Sequence, residues 1–185
     1  MKTVLVCNQK GGTGKTTLAD EIAFEFDRLN LKYDFYDLDR QGGCIHAGHE
    51  VEDAEYGIVD TPGALQKDMG KWMKQADIII IPTKMTSKEI EPLERMIELV
   101  KQNNITVPVL YVLNMKNQYS ASKDFEEWFT DAHPECKTVV IPQSEIFVQA
   151  AASGMSVIDF KKSSVPAEKV KALVSIVKYE LGIKN

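Results

Sequence analysis

Residues 10–17, KGGTGKTT, combine the features that a phosphate group requires of a protein. Gly11, Gly12 and Gly14, with Thr13 between them, leave the loop amides unobstructed, so that several N–H groups can converge on phosphate oxygens. A helix opening near Lys15 adds its N-terminal amides and the positive end of its dipole. Lys15 is spaced to reach the β- and γ-phosphates of a nucleotide, and the Thr16 hydroxyl to hold Mg²⁺. The stretch is unusual in two respects: Gln9 stands where a glycine normally opens such a loop, and Lys10 is a second lysine where one ordinarily suffices. Phosphate transfer also calls for acids, and three stand at the ends of apolar runs. YDFYDLD carries Asp37 and Asp39, and YGIVD ends on Asp60, the usual place for an acid that holds Mg²⁺ or its waters.

For these residues to meet, parallel strands must open on one edge, and the chain has that pattern. Short apolar runs alternate with longer amphipathic stretches, which predicts strands joined by helices. Strands are expected at 3–8, 33–39, 56–60, 77–82, 107–114 and 137–142. Leu18, Ile22, Phe26 and Leu29 recur at helical spacing after the glycine loop. Further helices are expected around 65–75, over 86–103 with its regular part from about Glu91, and over 120–132 behind a serine cap. Residues 144–154 read as a short helix closed by Gly154, and 166–181 as a final helix opened by Pro166 and stopped by Gly182. No repeat, linker or low-complexity stretch interrupts 1–185, so a single domain is expected: a three-layer α/β P-loop NTPase with a mostly parallel central sheet flanked by helices.

Composition narrows the function classes. The 22 Lys and Arg against 27 Asp and Glu give a net charge of −5, which excludes a uniformly basic nucleic-acid binder but leaves room for a local basic face. Cys7, Cys44 and Cys136 are scattered, with no CxxC spacing, and read as reduced thiols. HAGHE at 46–50 offers His46, His49 and Glu50 as metal donors, although loop histidines are more often simply solvated. The N-terminal apolar stretch is too short for a signal peptide, and IIIIP at 78–82 is far short of a membrane span, so a cytoplasmic protein is expected.

The same residues carry a family resemblance. KGGTGKTT resembles the deviant phosphate loop of the ParA/MinD ATPases, DLDRQGG their DxDPQG segment, IVDTPG their second acidic strand, and IPQSEIFVQAAASGMSV their IPxSxxxxEAxxxGxSV region. The similarity extends over nearly the whole chain and is greatest to the small plasmid-partition ATPases of the ParF type. It implies ATP/ADP and Mg²⁺ as cofactors, and a nucleotide-sandwich homodimer in which Lys10 reaches the phosphates bound by the other subunit. It further implies that Asp39 orients the attacking water, that Asp37 lies near the metal, and that Thr17 faces the α-phosphate. Asn114 and the IPQ turn with Pro142 fall where family members surround the adenine. Arg40 replaces the family's proline, and the run between Asp39 and Asp60 is short where relatives carry additional elements.

By this resemblance the dimer binds DNA non-specifically, is nucleoid-associated, and is stimulated by a small centromere-binding partner of the ParB/ParG kind. Lys116, Lys123, Lys161, Lys162, Lys169, Lys171, Lys178 and Lys184 are the lysines available for phosphate contacts. The alternative is an ATP-gated positioning scaffold of the MinD type, acting on a membrane or a protein cargo. The face formed by Val170, Leu173, Val174, Val177 and Leu181 could serve as a membrane anchor, but its position favours packing on the sheet. Phe125, Trp128 and Phe129 likewise read as a packing face.

Overall fold

Isoleucine and valine dominate the strand runs, and β-branched side chains suit a pleated sheet covered on both faces. The computed structural model of the chain describes residues 1–39, 43–63 and 68–184. Among these, β1 (Lys2–Val6), β2 (Tyr33–Asp37), β3 (Tyr56–Asp60), β4 (Ile78–Lys84), β5 (Val109–Lys116) and β6 (Lys137–Pro142) form one sheet in the order β2-β3-β1-β4-β5-β6. Every pairing within it is parallel, so the expected mostly parallel sheet is in fact wholly parallel among the described residues.

Alternation along the strands divides the core into two layers. Val4, Val6, Ile78, Ile80, Leu110 and Val112 face one side, packed against α1 (Lys15–Arg28), α5 (Glu145–Ala152), α6 (Val157–Phe160) and α7 (Val165–Leu181). Leu5, Ile79, Ile81, Tyr111 and Leu113 face the other, against α2 (Met69–Gln75), α3 (Ile90–Gln102) and α4 (Ser120–Ala132). Phe125 and Phe129 are buried in this second layer, as expected of a packing face. All five apolar residues of the α7 face are buried as well, so that face is covered by the sheet and α1.

The β2–β3 connection departs from the helix rule. Its described part runs back along the outer edge of β2, where Phe35 and His49 exchange backbone bonds of 2.9 and 3.0 Å in an antiparallel bridge. This return occupies edge amides that would otherwise be unpaired. The expected helix start near 65 falls partly on residues 64–67, outside the described residues; α2 itself begins at Met69.

Serines close three helix starts. Ser144, Ser156 and Ser164 accept from Ile146, Ile158 and Ala167 amides respectively. The serine cap expected at α4 is not formed: Tyr119 is the cap residue and makes no side-chain bond to the helix amides. Ser122, one turn inside, uses its hydroxyl on the Asn117 loop. Ser164→Ala is expected to cost about 1 kcal/mol. Thermal unfolding should register this as a fall of about 2–4 °C, and an unchanged midpoint would contradict it.

Candidate functional site

The carboxyl ends of β1 to β5 converge on the loop between β1 and α1. Asn8, fully buried, sets the loop's path: its Nδ2 donates to the Pro82 carbonyl at 2.7 Å and its Oδ1 accepts from the Lys10 amide at 2.9 Å. Gly12 and Gly14 adopt φ of 71° and 96°, the left-handed region where other residues are strained. A Cβ on Gly14 would also lie 2.4 Å from Asn114 Nδ2, which donates to the Thr13 carbonyl at 2.9 Å. Gly63, after Asp60, approaches so closely that a Cβ there would stand 3.0 Å from the Gly11 amide nitrogen. The acidic-strand turn therefore packs directly on the phosphate loop.

Lys15 is buried, and its Nζ donates to the Lys10 carbonyl at 3.2 Å. Burial lowers its pKa, while the charges of Asp60 and Asp39 act in the opposite sense. The Thr16 hydroxyl donates to Asp60 Oδ2 at 2.7 Å. Asp37 Oδ1 accepts from the Asp39 amide at 3.0 Å. Burial pushes the Asp60 carboxyl up to about 6 despite its bonds to Thr16 and Cys44 and the charge of Lys15. Its Oδ1 is buried without a hydrogen-bond partner. A buried carboxylate oxygen left without a donor is suited to a cation, because an uncompensated charge there is costly. Oxygens of Thr16, Asp37 and Asp60 fit a hard cation such as Mg²⁺. The donor atoms of Asp37, Cys44 and Asp60 lie within 4.8 Å of one another, but burial raises the Cys44 thiol and a thiol is a poor Mg²⁺ ligand.

Two cavities meet over Gly14, Thr17 and Met115. The first, about 720 Å³, is bordered by Gln9, Gly12, Lys15, Thr16, Asp39 and Gly63. The second, about 450 Å³, is bordered by Leu18, Asn114, Pro142, Gln143 and Phe147. A polar trough thus leads into a largely apolar one, the order needed for a triphosphate followed by a base. Met115, between them, has a φ of 59° at an irregularity in the β5–β6 register. Its amide donates to Asn114 Oδ1 at 2.9 Å, so Asn114 holds both the loop and the boundary of the two cavities. Lys84, at the end of β4, brings its Nζ to 3.4 Å from where a Gly12 Cβ would sit.

The structure brings Gly11, Gly12, Thr13, Gly14, Lys15, Thr16, Asp37, Asp39 and Asp60 together at one edge. Thr17 lies on the border of both cavities, with Asn114 and Pro142 at the second. Thr13 is fully buried, with its carbonyl held by Asn114. Lys10 is exposed on the loop. Arg40 lies outside the described residues. The sequence gives no sign of a role at the site for Asn8, Lys84, Met115 or Phe147, and Cys44 reads there only as a reduced thiol. An asparagine two residues before Lys10 and a cysteine near Asp39 are visible in the chain, but their partners are set by tertiary contacts.

Two sequence readings are corrected by the geometry. Lys178 is not available to DNA, because its Nζ donates to Glu25 at 2.8 Å and the pair is largely buried. Lys116 and Lys123 are paired with Glu126 and Glu127, whereas Lys161, Lys162, Lys169, Lys171 and Lys184 are exposed. HAGHE does not gather metal donors, nor are its histidines simply solvated. His46 Nδ1 lies 2.8 Å from Asp20 Oδ1 and Nε2 3.2 Å from Asp27 Oδ2, while His49 contacts the Tyr33 and Ala47 carbonyls.

Burial pulls the His46 pKa down, but the two carboxylates outweigh it and hold the group above 6.5. A raised pKa in the folded state contributes stability that is complete below the unfolded value and lost as pH rises through the folded one. The stability advantage of the wild type over His46→Gln is therefore expected to shrink as pH rises above about 6.5. Melting temperatures measured across that range test this; a constant difference would contradict it.

Comparison with known proteins agrees with this architecture. McdA from Cyanothece, in a complex with ATP, has a TM-score of 0.76 at 20% identity, with 100% of this chain and 98% of that chain covered. MinD from Aquifex aeolicus gives 0.75 at 15% identity, covering 97% and 98%. A plasmid partition protein from Borrelia burgdorferi gives 0.68 at 13%, also covering 97% and 98%. At these identities the structural likeness shows a shared fold. Protein IncC of Escherichia coli is 40% identical over 58 residues, which is 31% of this chain but only 15% of IncC. Residues 4–157 match the CobQ/CobB/MinD/ParA nucleotide binding domain, and this chain belongs to that family.

Proposed function

We propose that this chain is a Mg²⁺-dependent ATPase that pairs two ATP-bound copies face to face, with Lys10 of each completing the site of the other. The observation that carries this reading is the division of labour at Lys10. Its amide and carbonyl fix the loop through Asn8 and Lys15, yet its side chain is exposed, and no partner for its ammonium is found among the described residues. A cation exposed at the mouth of a phosphate site, with no partner among the described residues, would be available to phosphates presented by a second copy. Two triphosphates brought face to face would repel strongly without cations between them.

In the proposed reaction, water oriented by Asp39 forms a bond to the γ-phosphorus as the bond to the β–γ bridging oxygen breaks, giving ADP and phosphate. Lys15 and the loop amides stabilise charge on the β- and γ-phosphate oxygens, and Lys10 of the second copy adds a further cation. Thr16, Asp37 and Asp60 would hold Mg²⁺, which when bound neutralises the phosphate oxygens. Basal turnover in this reading is slow and is raised by a partner protein. ADP and ATP would lie with the base over Asn114 and Pro142.

The paired form would bind DNA non-specifically through exposed lysines and partition a plasmid, chromosome region or mobile element with a small centromere-binding protein. The partition relatives support this reading. Light scattering with ADP, ATP and a slowly hydrolysed analogue, with and without duplex DNA, tests it. The expected result is an ATP-dependent dimer whose retention on DNA falls steeply with salt. A dimer that ignores DNA would instead favour a positioning scaffold for a protein or membrane cargo, and a monomer in all nucleotide states would contradict the pairing itself.

A further inference from the structure

A second group of donor atoms lies at the opposite edge of the sheet, where α4 ends and β6 begins. HPEC at 133–136 forms a tight turn closed by the Cys136 amide donating to the His133 carbonyl at 3.0 Å. The turn brings one ligand atom each of His133, Glu135 and Cys136 within 4.8 Å of one another. His133 is 8% exposed, and its ring is packed between Trp128 and Phe129. Its Nε2 lies 2.9 Å from Glu94 Oε1 on α3, while Nδ1 has no recorded partner among the described residues. A carboxylate on one imidazole nitrogen is the usual arrangement that fixes the tautomer and directs the other nitrogen to a metal. A cavity of about 270 Å³, lined in part by Lys101, Glu135 and Cys136, adjoins the turn and leaves room for a further ligand.

We propose that His133, Glu135 and Cys136 bind one divalent cation of the zinc class, with Glu94 as the positioning residue for His133. The donor set decides the class of metal. Imidazole and thiolate with a single carboxylate suit Zn²⁺ and its first-row neighbours and not Mg²⁺ or Ca²⁺. Three donors leave a fourth tetrahedral position for water or an exogenous ligand. The usual zinc signatures separate their pairs with long loops, whereas HPEC places all three donors in one turn, outside those spacings. A bound ion would tie the end of α4 to the start of β6, the strand that leads to Pro142.

The test uses the full chain, stripped with chelator and titrated with Co²⁺ in excess Mg²⁺ and ADP, which keep the nucleotide site loaded. One equivalent should give a thiolate-to-cobalt charge-transfer band that Zn²⁺ displaces. Cys136→Ser should abolish the band and the exposed Glu135→Gln should weaken binding, whereas Cys44→Ser should leave both unchanged. Glu94→Gln should raise the dissociation constant about 10–100-fold. No band in the wild type, or a band that survives Cys136→Ser and disappears in Cys44→Ser, would overturn the proposal.

Discussion

Lys10→Ala is expected to lower ATP turnover about 10³-fold or more, the scale on which a cation supplied in trans acts in phosphoryl transfer. Nucleotide affinity of the monomer should change little. Among the described residues, the hydrogen bonds of residue 10 run through its backbone: its amide donates to Asn8, and its carbonyl accepts from Lys15 and Thr13. Alanine keeps these, so the cradle stays intact and only the exposed ammonium is lost. Equilibrium binding of ADP to the variant, measured beside its turnover, separates the two effects. A variant that hydrolyses ATP at the wild-type rate would remove the reason for the second lysine.

Lys15→Ala should have the opposite profile, weakening nucleotide binding and turnover together. Loss of one preorganised donor to developing charge costs about 10²–10³ in kcat. Here the loss is compounded by the environment, because Lys15 is buried and its charge opposes those of Asp60 and Asp39. Without it, the Asp60 carboxyl would be driven higher still, which weakens the acid available to a cation. Titration calorimetry with ADP and single-turnover hydrolysis measure the two losses. Wild-type affinity in Lys15→Ala would show that KGGTGKTT does not cradle phosphate in this chain.

The parts of this site that were legible in the sequence are those encoded locally. A glycine loop between an apolar run and an amphipathic helix can hardly avoid the geometry seen here, and Asp37, Asp39 and Asp60 follow because parallel strands end on one edge. The strand runs were legible for the same reason, since IIIIP and VPVLYVLN can be buried only when covered on both faces. What escaped is non-local. Nothing in the run around Met115 announces its left-handed backbone, which follows from the β5–β6 irregularity and the bond to Asn114. Asn114 was expected as an adenine neighbour, yet its amide group also buttresses the Thr13 carbonyl, a contact between residues far apart in sequence. Lys178 looked like one more surface lysine until α7 was packed against Glu25 of α1. The described run from Gly43 to Glu55 carries no helical pattern, and its place along the sheet edge follows from tertiary contacts: the bridge from His49 to Phe35 and the Val51 amide donating to Asp34.

The pairing proposal rests on where the Lys10 side chain acts, and a mixture of two inactive variants addresses it most directly. Lys10→Ala retains its own Asp39, while Asp39→Ala retains its own Lys10. Each variant alone should be nearly inactive. If Lys10 acts across the pair, a hybrid contains one site with both residues. Equal mixing should then restore about one quarter of wild-type turnover, since roughly half the dimers are hybrids and each has one intact site. If Lys10 acts within its own chain, the mixture should remain as inactive as its components, and the face-to-face account would be contradicted.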